Sequence, residues 1–185
     1  MYDLNKSQIM ELFQFDNAAK VISAAYIASS SGNVQTGDVV HLSFPGSNGD
    51  CHVKSGHINN AESYVIKIAS GFYDNPSKGL PSSNGMMLAF SASTGEPKAI
   101  LRDEGWLTDM RTGIGGAVAT KALAAKNAEK VLIIGSGIQA QFQAKCLASL
   151  MPERPFNFNI WGRNTSAAAA LAEELRGYNL NADVA

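Results

Sequence analysis

The segment that most constrains the fold is a short aliphatic run that leads into a glycine-rich loop. Val131–Ile134 is continuously apolar, as expected of a parallel strand buried on both faces. The residues that follow are Gly135-Ser136-Gly137-Ile138-Gln139-Ala140. Gly135 permits a tight turn, Gly137 lets a pyrophosphate approach the backbone, and Ala140 lets a helix pack closely on the strand. The pattern predicts a dinucleotide-binding loop, with amides at the helix start facing the phosphates.

The elements predicted after this loop alternate between helix and strand. We expect a helix over 139–150, a strand over 156–161, a helix over 165–175 and the start of a third strand at 181–185. A β-α-β-α-β order predicts a Rossmann-type, doubly wound parallel sheet. Since such a sheet ordinarily has about twice this many strands, we expect the chain to be the first part of a longer protein, with this domain truncated.

The end of the second predicted strand bears on the choice of dinucleotide. It reads Ile160-Trp161-Gly162-Arg163-Asn164-Thr165, without the acidic residue that bonds the ribose hydroxyls in NAD-binding proteins. Arg163 is placed to stack on adenine or to grip a 2′-phosphate. We therefore favour NADP over NAD as the cofactor, and NAD stays open because NAD-dependent enzymes also carry arginines at this point.

The first part of the chain has a different pattern. Residues 1–30 are predicted to be helical, with Asp16 as N-cap and Val21, Ile22, Ala25 and Ile27 on one apolar face. Short apolar runs separated by Gly, Pro, Asn and Ser predict an antiparallel sheet with strands over 39–44, 64–68, 86–90 and 98–101. A helix over 109–125 follows, and its many small residues allow close approach of another backbone or of a ligand. The fold class is thus α/β, with an α+β domain over 1–108 and a nucleotide-binding domain over 109–185.

Composition limits the partners. The 185 residues carry a formal net charge of −1, which gives no general reason to expect nucleic acid or an anionic membrane. No apolar run reaches the ~20 residues of a membrane span, and the N-terminus does not resemble a secretory signal. Cys51 and Cys146 lie far apart, and His52 and His57 lack further ligands, so no metal site is expected. We expect a cytoplasmic protein.

Several ordered motifs together point to one family. They are Lys67, Gly79-Leu80-Pro81-Ser82-Ser83, Thr94-Gly95-Glu96-Pro97, Leu107-Thr108-Asp109-Met110-Arg111-Thr112-Gly113 and the glycine loop Gly135–Ala140. At this spacing the chain resembles the ornithine cyclodeaminase/mu-crystallin family. The resemblance implies a substrate-binding and dimerisation domain followed by a Rossmann domain, a homodimer, and hydride transfer at the α-carbon of a small amino or imino acid.

The resemblance also implies roles for individual residues. Lys67 matches the lysine beside the substrate carboxylate and α-nitrogen, where an ammonium neutralises the carboxylate or protonates an imine. Arg111 matches the arginine that touches substrate carboxylate and cofactor, and a guanidinium can form a bidentate fork. Ser82 falls where the family has a hydroxyl near the nicotinamide. Further cofactor contacts are expected at Thr112, Gly135, Gly137, Ile138, Gln139, Ala140 and Arg163.

One departure from the family pattern concerns the substrate. Many members have a second carboxylate-binding arginine before the lysine, but residues 31–66 contain no arginine. His52 and Lys54 alternate onto one face of a strand, opposite Cys51 and Val53, and together can replace it. A solvent-facing polar strand surface explains them equally well. The departure counts against a classical ornithine cyclodeaminase and leaves an imino-dicarboxylate open.

Three functions remain after this comparison. The leading hypothesis is an NAD(P)H-dependent imino-acid or ketimine reductase, that is, an amino-acid dehydrogenase working in reverse. The alternative is an ornithine-cyclodeaminase-like lyase with tightly bound NAD, whose acidic general base would lie beyond residue 185. The third is a non-catalytic dinucleotide-binding protein like the crystallin relatives, against which the retention of Lys67 and Arg111 argues.

Overall fold

The computed structural model describes residues 1–185, and they divide into two compact units. The first unit comprises Met1–Phe13 and Ala24–Thr108. The second comprises Gln14–Ser23 and Asp109–Ala185. No helix in either unit has the length and apolar character needed to cross a bilayer.

The first unit is built on one mixed sheet of seven strands in the order β1-β7-β6-β5-β4-β2, with β3 also pairing with β4. Only β1 and β7 run parallel; the other neighbours are antiparallel. Helix α1, the second half of helix α2 and two short 3-10 helices, Pro45–Ser47 and Asn75–Lys78, complete its elements, and the first half of α2 belongs to the second unit. The bounds are β1 Tyr2–Asn5, α1 Lys6–Leu12, α2 Phe15–Ser30, β2 Val34–Thr36, β3 Val40–Phe44, β4 Gly49–Ile58, β5 Ser63–Phe72, β6 Ser83–Ser91 and β7 Pro97–Arg102.

The prediction that residues 1–30 are helical is confirmed for Lys6–Leu12 and Phe15–Ser30 and is wrong for Tyr2–Asn5. Tyr2–Asn5 is a strand because it pairs in parallel with β7, and the guanidinium of Arg102 bonds Asp3 at 2.8 Å across that pair. Asn5 then caps α1 in a reciprocal capping box. The second helix begins at Phe15, so Asp16 lies in its first turn instead of at the N-cap.

The apolar face predicted for this helix is also partly wrong. Val21 and Ile27 are 65% and 66% exposed, whereas Ala19 is 5% exposed. Ile22 and Ala25 are half-buried as expected. The buried stripe follows Ala19 and Ile22 at helical spacing, and Val21 lies to one side of it.

The four predicted strands of the sheet are confirmed as β3, β5, β6 and β7, each within a few residues. The strand expected around His52 and Lys54 from alternation is also confirmed, as β4, which pairs with β2, β3 and β5. Its sequence, rich in Gly, His and Lys, lacks the apolar run that marks a strand in isolation. Pairing with β5 from Gly49 to Gly56 stabilises the extended conformation.

The second unit contains a three-stranded parallel sheet in the order β10-β9-β8 and confirms the predicted β-α-β-α-β succession. Helix α3, which begins in the first unit, precedes it. The elements are α3 Trp106–Leu123, β8 Lys130–Ile134, α4 Ile138–Leu150, β9 Asn157–Trp161, α5 Thr165–Gly177 and β10 Asn181–Val184. The fully buried core centres on Phe158 and Ile160 of β9 with Ala168, Ala172 and Leu175 of α5.

Two expectations for this half need correction. Helix α3 starts three residues earlier than predicted because the buried carboxylate of Asp103 accepts from the Leu107 amide at 2.8 Å and satisfies the first turn. Strand β8 is not buried on both faces: Leu132 and Ile134 are 58% and 73% exposed. Successive residues of a strand point to opposite faces, so Val131 and Ile133 lie half-buried on one face while Leu132 and Ile134 lie on the other, which this chain leaves uncovered.

Candidate dinucleotide and substrate sites

The glycine loop joins β8 to α4 as the sequence predicted, and Gly135 makes the turn. Its φ of +130° lies in a region that side chains rarely adopt, so this position requires glycine. Its amide donates to the carbonyl of Trp161 at 2.7 Å, which ties the loop to the end of the neighbouring strand β9. The turn therefore brings the two strand ends of the predicted dinucleotide site together.

Gly137 is glycine for another reason. It is the N-cap of α4 with φ −89° and ψ −176°, an extended conformation open to any residue. A Cβ built there would meet no protein atom within 4 Å. Because neither backbone conformation nor packing requires glycine, close approach of a ligand to the helix N-terminus best explains its choice. Ile138, the first helical residue, is 48% exposed beside it, and Ala140 is buried as predicted.

An open cleft of about 600 Å³ lies where the glycine loop meets the end of β9. Arg163 lines it and is exposed, and no hydrogen bond or ion pair within the chain engages its guanidinium. The side chain of Asn164 already accepts a hydrogen bond from the Ala167 amide at 3.0 Å and caps α5. Gly162 leaves room for Ser136, whose Oγ would lie 3.3 Å from an added Cβ. Arg163 is thus the cationic group available to a ligand in this cleft.

Gln139, the fifth residue of the loop motif, is tied to the start of α3. Its Nε2 donates to Oδ1 of Asp109 at 2.6 Å. Its Oε1 is buried without a hydrogen-bond partner. The motif Leu107–Gly113 contains Asp109, but no local pattern indicates that the two motifs are joined by a hydrogen bond. This hydrogen bond holds the N-terminus of α4, which follows the glycine loop, against the N-terminal part of α3.

The small residues of α3 make room for another helix. A Cβ at Gly113 would lie 2.7 Å from the Phe142 carbonyl and 2.8 Å from Cys146 Sγ, both on α4. At Gly116 a Cβ would collide with the side chain of Gln143, whose Nε2 donates to the Thr112 carbonyl at 3.2 Å. Of the two alternatives left open by the sequence, backbone approach is the one that these glycines serve.

Arg111 and Thr112 lie on the second turn of α3. Arg111 is exposed, and its guanidinium makes no hydrogen bond or ion pair within the chain. Thr112 is half-buried and offers its carbonyl to α4. An exposed guanidinium without an intramolecular partner can bind a carboxylate or phosphate.

In the first unit, Lys67 lies on β5 directly opposite Lys54 of β4. Cross-strand partners share a face, so His52, which is opposite Ala69, lies on that same face. Strand β3 adds His41, which pairs with His52 and stacks on it at 4.6 Å between ring centroids. The predicted residues Lys54, His52 and Lys67 therefore share one sheet face, which we call the cationic face.

Sequence reasoning missed Asp50, which lies next to His52, and Tyr73, which contacts Asp50. Oδ1 of Asp50 lies 3.5 Å from Nδ1 of His52, and its Oδ2 accepts from the hydroxyl of Tyr73 at 3.1 Å. This hydrogen bond, with the charge of Asp50, raises the pKa of Tyr73 and keeps the hydroxyl protonated. Alternation along β4 places Asp50 with His52, but no local pattern signals the contact with Tyr73.

Ser82 lies in the first unit, in the loop between the 3-10 helix Asn75–Lys78 and β6. Its carbonyl accepts from the Phe72 amide at 2.8 Å, and Asn75 Nδ2 donates to the preceding Pro81 carbonyl at 3.0 Å. The loop begins at Gly79, which has φ +71°. These bonds fix the backbone at Ser82.

The remaining polar candidates are the two other histidine and cysteine positions. No three His, Cys, Asp or Glu side chains gather in an arrangement that could hold a metal ion. Burial raises the pKa of Cys146 to about 11, which the nearby Lys145 partly offsets, so this thiol is neutral near pH 7. His57 instead lies against the Ser63 carbonyl at 3.3 Å.

Comparison with solved structures supports the fold. Over its whole length the chain superimposes on the Δ1-pyrroline-2-carboxylate reductase of Thermococcus litoralis, solved in complex with NADH and L-proline (TM-score 0.88, 26% identity, 57% of that chain). It also superimposes on an archaeal alanine dehydrogenase dimer with bound NAD (TM-score 0.85, 26% identity, 56% of that chain). The α/β architecture with a Rossmann-type parallel sheet is therefore that of these dehydrogenases.

Sequence comparison gives the family. A protein of Sinorhizobium fredii named as an uncharacterized cyclodeaminase is 38% identical over 175 residues, which are 94% of this chain and 52% of the relative. The chain thus spans about half the length of the relatives it matches. The family model for the ornithine cyclodeaminase/mu-crystallin family matches residues 3–185. The chain belongs to the ornithine cyclodeaminase/mu-crystallin family.

Proposed function

We propose that this protein is an NAD(P)H-dependent oxidoreductase that reduces the α-carbon of a small imino acid. The proposal depends on Gly137 at the N-terminus of α4. Neither the backbone angles nor the packing at this position require a glycine. A dinucleotide pyrophosphate accounts for it. The relatives solved with NADH and L-proline, and with NAD, support the same reading.

In this proposal residues 109–185 bind the dinucleotide. The pyrophosphate lies against Gly135, Gly137 and the first amides of α4, at Ile138 and Gln139, while Ala140 keeps the helix close to its strand. Arg163 binds the adenosine end of the dinucleotide. Because Arg163 is exposed in its cleft without an intramolecular partner, and no carboxylate follows β9, we propose NADP in preference to NAD.

In the same proposal, residues 1–108 bind the substrate and form the dimer contact, and Arg111 and Thr112 of the following helix contribute to the site. When bound, the reduced nicotinamide supplies a hydride to the α-carbon of the imine. Lys67 donates a proton to the imine nitrogen, so that the product is the amine. Arg111 holds the α-carboxylate as a planar fork. Ser82 and Thr112 are proposed to contact the nicotinamide end of the cofactor.

A homodimer is proposed on the example of the archaeal alanine dehydrogenase dimer. Val40, Leu42 and Phe44 of β3 lie on the side of the strand opposite His41 and are 53%, 51% and 41% exposed. An exposed apolar strand surface of this kind is typical of a face that a second copy covers. Both cysteines are free thiols, which suits the reducing cytoplasm that we propose as the location.

A second candidate is a cyclodeaminase with tightly held NAD, favoured by the name of the Sinorhizobium relative. The test uses the protein in its full natural length. NADH and NADPH are each offered with imino acids formed from 2-oxo acids and ammonia, and with cyclic ketimines, while absorbance of the reduced nicotinamide is followed. A parallel sample receives ornithine and NAD and is assayed for ammonia. Consumption of reduced cofactor by an imino acid supports the reductase; ammonia from ornithine without net cofactor change contradicts it and supports the lyase.

A further inference from the structure

The cleft between the glycine loop and the end of β9 contains a second hydrogen-bond donor besides Arg163. Ser136, the second residue of the loop motif, lines this cleft and is half-buried. Its hydroxyl makes no hydrogen bond within the chain. A serine hydroxyl can donate one hydrogen bond and accept two, so this group is available to a ligand.

The position of Ser136 depends on a glycine in the neighbouring strand end. Gly162 does not have a positive φ, so its backbone conformation does not require glycine. A Cβ built there would lie 3.3 Å from Oγ and 3.6 Å from Cβ of Ser136, and the serine side chain would have to shift. The amide of Gly135 holds the two segments together through its hydrogen bond to the Trp161 carbonyl at 2.7 Å. Gly162 therefore allows Ser136 to lie against the residue that directly precedes Arg163.

The charge of this cleft favours an anion. The residues that line it are Ile134, Gly135, Ser136, Trp161, Gly162, Arg163 and Asn164. Arg163 is the only charged residue among them, so no carboxylate in the cleft competes for its guanidinium. A guanidinium and a hydroxyl both donate hydrogen bonds, and together they suit the oxygens of a phosphate group.

The cleft also lies at the right place along the loop for a second phosphate. Ser136 directly precedes Gly137, where the pyrophosphate is proposed to bind, and consecutive Cα atoms are about 3.8 Å apart. In NADP the adenosine ribose carries the pyrophosphate at its 5′ position and a monophosphate at its 2′ position. Two anion-binding positions on successive loop residues therefore match the two phosphate groups on one ribose.

We propose that the Ser136 hydroxyl binds the 2′-phosphate of NADP together with the Arg163 guanidinium, so that Ser136 is a second determinant of cofactor specificity. The inference rests on the proposed function and names the group that recognises its cofactor. Arg163 supplies the positive charge, and Ser136 donates one directed hydrogen bond to a phosphate oxygen. NAD has a neutral hydroxyl at the 2′ position, so with NAD the serine gains only a hydrogen bond that replaces one to water.

The test uses two nucleotides that differ only by the 2′-phosphate, adenosine 2′,5′-bisphosphate and 5′-AMP. Calorimetry on the full-length protein at one fixed ionic strength gives their dissociation constants. Ser136→Ala is expected to weaken the bisphosphate about tenfold, as for a hydrogen bond to a charged acceptor, and 5′-AMP by less than about twofold. Ser149→Ala, at an exposed serine of α4 whose hydroxyl has no hydrogen bond, is the matched control and should change neither.

Thermal unfolding without nucleotide separates binding from a structural role. Because the Ser136 hydroxyl has no partner within the chain, Ser136→Ala should change Tm by less than about 2 °C. Equal weakening of the two nucleotides, with or without a lowered Tm, would overturn the inference.

Assays of turnover distinguish this inference from the proposed function. Oxidation of NADH by an imino acid, in a protein that binds the bisphosphate no better than 5′-AMP, would overturn the inference and leave the reductase intact. Ser136-dependent binding of the bisphosphate, without consumption of NADPH or NADH by any imino acid, would support the phosphate site and overturn the reductase.

Discussion

Gln139 Nε2 and Asp109 Oδ1 are joined by a hydrogen bond of 2.6 Å between residues 30 positions apart in the chain. One partner belongs to the glycine-loop motif and the other to the Leu107–Gly113 motif. A hydrogen bond to a charged acceptor is worth about 1.5–3 kcal/mol, more than an ordinary neutral one. This hydrogen bond therefore links the glycine loop to the motif that contains Asp109.

Gln139→Met keeps the length of the side chain and removes its amide. Asp109 then loses a charge-assisted partner, so we expect the free energy of unfolding to fall by about 1–3 kcal/mol. Urea unfolding followed by circular dichroism measures this change. Gln141→Met is the control: its partner Glu174 is at the surface, and a loss below about 0.5 kcal/mol is expected. Equal losses in the two variants would contradict a special role for the Gln139–Asp109 bond.

The two glycines of the loop should respond differently to alanine. Gly137→Ala introduces a methyl group into open space at an ordinary φ, so stability should be kept or raised by up to about 1 kcal/mol. NADPH affinity should nevertheless fall at least about tenfold, because the methyl group occupies the path of the pyrophosphate. Thermal unfolding and fluorescence titration with NADPH measure the two effects.

Gly135→Ala provides the contrast. Its φ of +130° is strained for alanine, so stability should fall by about 1–3 kcal/mol. If Gly137→Ala lost stability as well, packing would explain that glycine and the ligand argument would be wrong.

These glycines illustrate what the sequence can and cannot predict. The turn at Gly135 and the strand–loop–helix order follow from local pattern, because each depends on neighbours in the chain. The exposure of Leu132 does not follow from local pattern, since an aliphatic run does not tell whether one or both faces of its strand are covered. The contact of Asp50 with Tyr73 likewise depends on β4 and the end of β5 meeting, which no local periodicity encodes.

Arg163→Ala tests the preference for NADP. Loss of a guanidinium that binds a 2′-phosphate should weaken NADPH about 10–100-fold, as expected for a charge-assisted contact. NADH lacks that phosphate and should change by less than about threefold. Dissociation constants for both cofactors, measured at one fixed ionic strength, decide the matter. Equal weakening of the two would assign Arg163 to adenine stacking and remove the preference.

Lys67→Met separates chemistry from cofactor binding. The methionine keeps the volume of the side chain and removes the proton donor, so kcat with an imino acid should fall by at least about 10²-fold. Lys67 lies on β5 of the first unit, whereas the glycine loop lies in the second, so NADPH affinity should change little. Stopped-flow absorbance and fluorescence titration give the two values. Lost NADPH affinity with retained turnover would mean that Lys67 belongs to the cofactor site instead.

Gly113→Ala tests whether close approach of α3 and α4 needs a glycine. A Cβ there would lie 2.7 Å from the Phe142 carbonyl, a backbone atom that cannot rotate away. The two helices must separate, and we expect a loss of about 1–3 kcal/mol in unfolding free energy, although alanine is the better helix former. Gly177→Ala is the matched control, because it ends α5 with no atom within 4 Å of an added Cβ. It should be neutral or stabilising by up to about 1 kcal/mol in urea unfolding. A stabilised Gly113→Ala would show that α3 moves freely against α4, and the tight packing assigned to the small residues of α3 would be wrong.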